Sequence, residues 1–185
     1  MVSQLQVGNI APSKRTSLIR HPLMQTIEGT IQVFTSPHRS FFTNVMVQAL
    51  RTAEQGKNVL VAQFLKGGIG QGPEHPMQLG QSLEWIRADM EECVQGAEVS
   101  PAAQAAVTQL WTYTQTAISQ GRFSLVVLDE LSLAMSYDLL AETEVMELLQ
   151  ERPPQVDLVL TGPDMPAAIL EIADQVTEFR RNYLP

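Results

Sequence analysis

"TIQVFTSPHRSFFTNVMVQALRTAEQGKNVLVAQFL", residues 30–65, contains a complete strand–turn–helix–strand unit. "TIQVFT" alternates as a strand does. "FTNVMVQALRTAEQG" carries apolar residues at helical spacing and closes on Gly56, while "NVLVAQFL" is a nearly continuous apolar run. Such a run is typical of a strand buried on both faces of a parallel sheet. The alternation continues downstream. "SLEWIRA" reads as a short strand, and "SPAAQAAVTQLWTYTQTAISQG" as a helix capped by Ser100 and Pro101, with Ala103, Val107, Leu110, Thr114 and Ala117 on one face and Gly121 at its end. "FSLVVLDE", "VDLVLTG" and "QVTEFR" are further strands, separated by the helices "ETEVMELLQER" and "PAAILEIA". This order specifies an α/β domain whose mainly parallel sheet is covered on both faces, with "QVFT", "LVAQF", "LVVL" and "LVLT" as adjacent buried strands.

The chain divides into an N-terminal extension, residues 1–28, and the α/β domain, residues 29–185. At 185 residues and 44% hydrophobic composition, it can bury a substantial core. A net charge of −8 disfavours nucleic-acid binding, which draws its affinity from Lys and Arg on phosphates. Lys14, Arg15, Arg20 and His21 form a local basic exception, read as a solvated arm. Cys93 is the single cysteine, which excludes an intramolecular disulfide and a multi-cysteine zinc site. With no signal-peptide core and no apolar run of membrane-spanning length, the expectation is a cytoplasmic protein with no membrane partner.

Ligands of open α/β sheets sit beyond the carboxyl ends of the strands, so the loops after Phe34, Leu65, Leu128 and Leu160 are the places to look. Asp129 and Glu130 follow the apolar run "LVVL", the form of a strand-end carboxylate that holds magnesium. The competing reading is that they begin a helix near Leu131. Residues 33–44, "VFTSPHRSFFTN", occupy the strand-to-helix junction where a phosphate loop would lie, yet contain no Gly and no Lys. His21 and His75 have no partner at helical metal-ligand spacing. The carboxylates beside Cys93 oppose its activation, and Trp85 and Trp111 read as core or interface residues.

"VLVAQFLKGG" (59–68), "LVVLDELSLAMSYDLL" (125–140) and "LVLTGPDMPAAILEIADQVTEFR" (158–180) closely resemble blocks of the P-loop-class ATP:corrinoid adenosyltransferases. That resemblance implies a three-layer, P-loop NTPase-like (RecA-like) fold and the transfer of an adenosyl group from Mg-ATP to a reduced cobalt corrinoid. It also implies subunit pairing, hence a homodimer. Against the family's T-G-N-G-K-G-K-T-T this chain reads "TSPHRSFFT". Phe41 stands at the phosphate-binding Lys, Phe42 at the magnesium-reaching hydroxyl, and Ser36, His38 and Ser40 at the glycines. Side chains there crowd backbone that must curl around a triphosphate.

The expectation is therefore a family member that has lost ATP-dependent catalysis and acts as a binding or regulatory protein for an unidentified partner. Arg39, Ser40, Phe41, Phe42 and Lys66 would be the remnant nucleotide site. Asp129 and Glu130 would serve as metal ligands only if magnesium still binds. The alternative is a working cob(I)yrinic acid a,c-diamide adenosyltransferase in cobalamin biosynthesis, with Arg39 and Lys66 replacing the lost Lys. The new loop sequence is expected to form a tighter helix start, capped by Ser36 ahead of Pro37 or by Ser40. Arg39 is expected to bridge to Asp129 or Glu130, with Asp129 favoured, while at least one of the two phenylalanines packs under the sheet edge. The family's aromatic corrinoid-holding segment aligns near residues 89–98, which contain no aromatic residue.

Overall fold

The computed structural model describes residues 28–180 apart from Ile69. Seven strands form one sheet in the order β3-β4-β2-β5-β6-β1-β7. They are β1 (Ile31–Thr35), β2 (Val59–Gln63), β3 (Met77–Leu79), β4 (Leu83–Arg87), β5 (Leu125–Asp129), β6 (Asp157–Thr161) and β7 (Gln175–Glu178). All neighbours run parallel except β3 and β4. The adjacency expected from sequence holds, since β2, β5, β6 and β1 lie side by side at the centre. The helices are α1 (Thr43–Glu54), α2 (Pro101–Ser119), α3 (Leu131–Ser136), α4 (Glu142–Glu151) and α5 (Ala167–Ile172). This α/β architecture, a mostly parallel sheet flanked by helices, is that of a P-loop NTPase-like domain.

Strand alternation sends side chains to two unequal faces. One face carries Val33, Leu60, Ala62, Val126, Leu128, Leu158 and Leu160 and packs on residues from α2, α3, α4 and α5. The other carries Phe34, Val59, Val61, Leu83, Leu125, Val127 and Val159, and among the described helices only α1 joins that cluster, through Val45 and Ala49. The longest helix, α2, starts as its sequence dictates. The Ser100 hydroxyl accepts from the Ala103 N–H at 3.2 Å and Pro101 occupies the first turn.

Two elements depart from the sequence reading. β3 is a strand to which the sequence reading assigned no element: Gly80 at φ 67° turns the chain back onto β4 as a hairpin. At the other junction α1 begins only at Thr43, with Phe42 at its N-cap and no side-chain cap. Neither Ser36 nor Ser40 caps it: both hydroxyls donate to the His38 carbonyl instead. Residues 36–42 thus keep the wide non-helical loop, stabilised by its own turn. The extension 1–28 lies outside the described residues except for Glu28.

Candidate functional site

The sheet's carboxyl edge gathers a row of polar side chains on the α1 face. Gln63 pairs in register with Arg87 on one side and Asp129 on the other, and Thr161 extends the row on β6. These side chains are bonded in sequence. Arg87 Nε and Trp85 Nε1 each donate to Gln63 Oε1 at 2.8 Å, and Gln63 Nε2 donates to Asp129 Oδ2 at 2.7 Å. Thr161 Oγ1 donates to Asp129 Oδ1 at 2.7 Å and accepts from the Glu130 N–H at 3.0 Å. Gln63, Asp129 and Thr161 are all buried, where polar atoms left without partners would carry a large desolvation cost. The row is fully satisfied.

Two cations complete it. Lys66 Nζ reaches Asp129 Oδ2 at 2.8 Å and sits 5.0 Å from the Phe41 ring centroid. Arg39 grips Glu130 with both arms of its guanidinium, at 2.6 and 2.8 Å, and gives its remaining amine to the Val94 carbonyl at 2.7 Å. A planar fork on a planar carboxylate is the strongest form of side-chain ion pair. Hydrogen bonding to Glu130 accordingly raises the Arg39 pKa further above its ordinary value, against the lowering effect of burial. The structure places Arg39 on Glu130, one of the two partners expected, and not on the favoured Asp129. Lys66 already holds Asp129, while Glu130 is turned toward the loop by its left-handed backbone at φ 63°.

The adjacent phenylalanines separate. Phe42 is 5% exposed within the α1-face cluster, 5.6 Å from the Phe179 ring, whereas Phe41 is 54% exposed. A cavity of about 410 Å³ opens between them, lined by Ser40, Phe41, Phe42, Asn44, Phe179 and Arg180 among others. Beside Arg39, the segment 89–98 forms an acidic groove of about 510 Å³ with Asp89, Glu91, Glu92 and Glu98 on its lining. Cys93 there is exposed, and among the described residues no three His, Cys, Asp or Glu side chains converge as a metal-binding group.

A family model described as ATP:corrinoid adenosyltransferase BtuR/CobO/CobP matches residues 27–183. The chain belongs to the ATP:corrinoid adenosyltransferase family. It is 31% identical over 157 residues to the corrinoid adenosyltransferase of Escherichia coli K12, covering 84% of this chain and 79% of that one. Corrinoid adenosyltransferase CobA of Salmonella typhimurium LT2 is 32% identical with the same coverage. The uncharacterized protein all2391 of Nostoc sp. PCC 7120 is 26% identical over 92% of this chain, which spans 48% of that protein.

Packing accounts for several features that this adenosyltransferase homologue shares with its family's pattern. A Cβ on Gly67, in "QFLKGG", would collide with the Met90 and Glu92 carbonyls. One on Gly162, in "LTG", would overlap the Ser132 hydroxyl, which donates to the Pro163 carbonyl. Gln63, Arg87 and Thr161 were missed as site residues by the sequence reading. Their signal was present: an amide inside the apolar run "LVAQF", and polar residues closing "LEWIR" and "LVLT".

Proposed function

We propose that this family member does not use Mg-ATP in the family's manner and serves as a binding or regulatory protein. The observation that carries the reading is the internal neutralisation of the acidic pair. A magnesium ion at Asp129 and Glu130 needs free carboxylate oxygens. Here Lys66, Gln63 and Thr161 take those of Asp129, and Arg39 takes both of Glu130. With every oxygen of the pair already engaged, the side chains present do not fit magnesium. In the loop above, the chain offers Phe41 and Phe42 in place of a phosphate-binding Lys and a hydroxyl, and no glycine. The second reading, a working adenosyltransferase, rests on the same two cations. It requires Arg39 and Lys66 to exchange their carboxylates for phosphates, leaving two buried acids to magnesium.

Calorimetric titration of the full chain with Mg-ATP, and separately with a corrinoid, decides between them. We expect no Mg-ATP heat at millimolar nucleotide; tight binding of both ligands would restore the transferase. Phe41→Lys with Phe42→Thr should lower the melting temperature without creating ATP affinity, because the absent glycines still deny the loop its curl. A double variant stabilised by millimolar Mg-ATP would overturn that. We further propose a homodimer, tested by light scattering; a mass near 20.5 kDa at high micromolar concentration would defeat it.

A further inference from the structure

The stretch 88–100, between β4 and α2, forms neither helix nor strand. It contains Asp89, Glu91, Glu92 and Glu98 and no Lys, Arg or His, so its charges repel and no cation of its own relieves them. Both ends are fixed. The Met90 carbonyl accepts from the Gly68 N–H at 2.8 Å, and Ser100 caps α2. Of the residues between, 91–98, only Val94 is buried. Its N–H donates to the Leu65 carbonyl at 3.0 Å, and its carbonyl accepts from Arg39 at 2.7 Å. Among the described residues, Arg39 is the one side chain that hydrogen-bonds to 91–98. A segment with so little buried belongs to the low-stability end of a fold, where opening is local.

Arg39 is itself held by Glu130. Glu130 faces the loop through a left-handed backbone at φ 63°, a conformation that a residue other than glycine keeps only when its surroundings impose it. The Arg39 side chain is 33% exposed and that of Glu130 only 4%, so the guanidinium is the half of the pair that can swing into water. One side chain thus ties together three parts of the chain: loop 36–42, the end of β5 and the acidic stretch.

We propose that residues 91–98 are a strap at the carboxyl edge, that Arg39 is its clasp, and that the strap opens as a unit when the Arg39–Glu130 pair parts. Glu91, Glu92 and Glu98 line the groove of about 510 Å³, so opening dismantles that groove. A change at the loop after β1 reaches the groove through Arg39. The proposal stands whether or not Mg-ATP binds, since it concerns only what holds the strap down.

The hydrogen-exchange rate of the Val94 amide, followed by NMR in the full chain, tests it. In the wild type this amide should exchange more slowly than in unfolded chain, at a rate that low urea leaves unchanged, as local opening requires. Arg39→Ala should speed it at least about tenfold, the loss of a hydrogen bond from a charged donor. Arg39→Lys keeps the charge but not the fork, and should act in the same direction with less risk to folding. Phe42→Ala weakens the body from the α1 face without touching the strap, and should leave the Val94 rate where it was. A wild-type amide as fast as unfolded chain would overturn the proposal, as would Arg39 variants that do not move the rate. Equal acceleration by Phe42→Ala would also overturn it, because the strap would then open only with the whole domain.

Discussion

The carboxyl ends of β1 and β5 flank one site, yet they compare with the family pattern in opposite ways. After β1 the residues have changed: loop 36–42 has no glycine, and Phe41 and Phe42 stand where the resemblance implies Lys and Thr. After β5 they have been kept, since Asp129 and Glu130 close the strand as the family pattern asks. The kept pair is nonetheless bonded inward, each carboxylate neutralised by a cation from a neighbouring loop. A retained residue type does not by itself say which partners it meets. The partners decide, and here the changed loop supplies one of them, Arg39, to the unchanged strand end.

Removing that partner should give the largest effect. Arg39→Ala leaves Glu130, with a side chain only 4% exposed, as an uncompensated buried charge, and we expect a loss of about 3–5 kcal/mol in urea unfolding. A loss below about 1 kcal/mol, the worth of a solvated surface pair, would mean that the two strand ends are not coupled. Next comes Phe42→Ala, which empties a buried aromatic site and should cost about 3 kcal/mol. Its exposed neighbour Phe41→Ala should stay within about 0.5 kcal/mol. Equal losses at the two positions would show that the loop packs differently.

Lys66→Met should cost less than Arg39→Ala, about 1–2 kcal/mol, since Asp129 keeps hydrogen bonds from Gln63 and Thr161. Should Lys66→Met prove the more damaging, Asp129 and not Glu130 would be the pivotal acid. The smallest effect lies outside the site and serves as a control. Burial, aided by Glu84, raises the Tyr113 phenol above its ordinary pKa. The folded state holds that proton more tightly than the unfolded chain, so its contribution is present below the ordinary value and fades as pH climbs through the raised one. Tyr113→Phe should flatten the alkaline limb of a stability profile slightly, leaving the response at Arg39 and Lys66 unchanged.

Much of this was legible beforehand. Period-two and period-3.6 patterns located the central strands and the main helices, and Ser100–Pro101 and Gly56 marked helix ends where the backbone needs them. The chemistry missing from loop 36–42 was visible as letters. The loop's shape was not. Ser36 and Ser40 are good caps by composition, but in the fold both bond to the His38 carbonyl and the helix waits until Thr43. Local propensity allows serine either role; the fold has the turn, with Phe42 buried at the helix start.

The sequence by itself determined the layered α/β scaffold, because burial patterns repeat along the chain and each strand or helix is specified by its near neighbours. It also determined that loop 36–42 contains neither a lysine nor a glycine. Only tertiary structure decided which cation meets which carboxylate. Arg39 and Glu130 are 91 residues apart, and Lys66 and Asp129 are 63 apart. No local rule links such pairs. They are set by parallel register, which lines up Gln63 with Asp129, and by the left-handed turn at Glu130 that swings its carboxylate away from Lys66 and into the fork of Arg39.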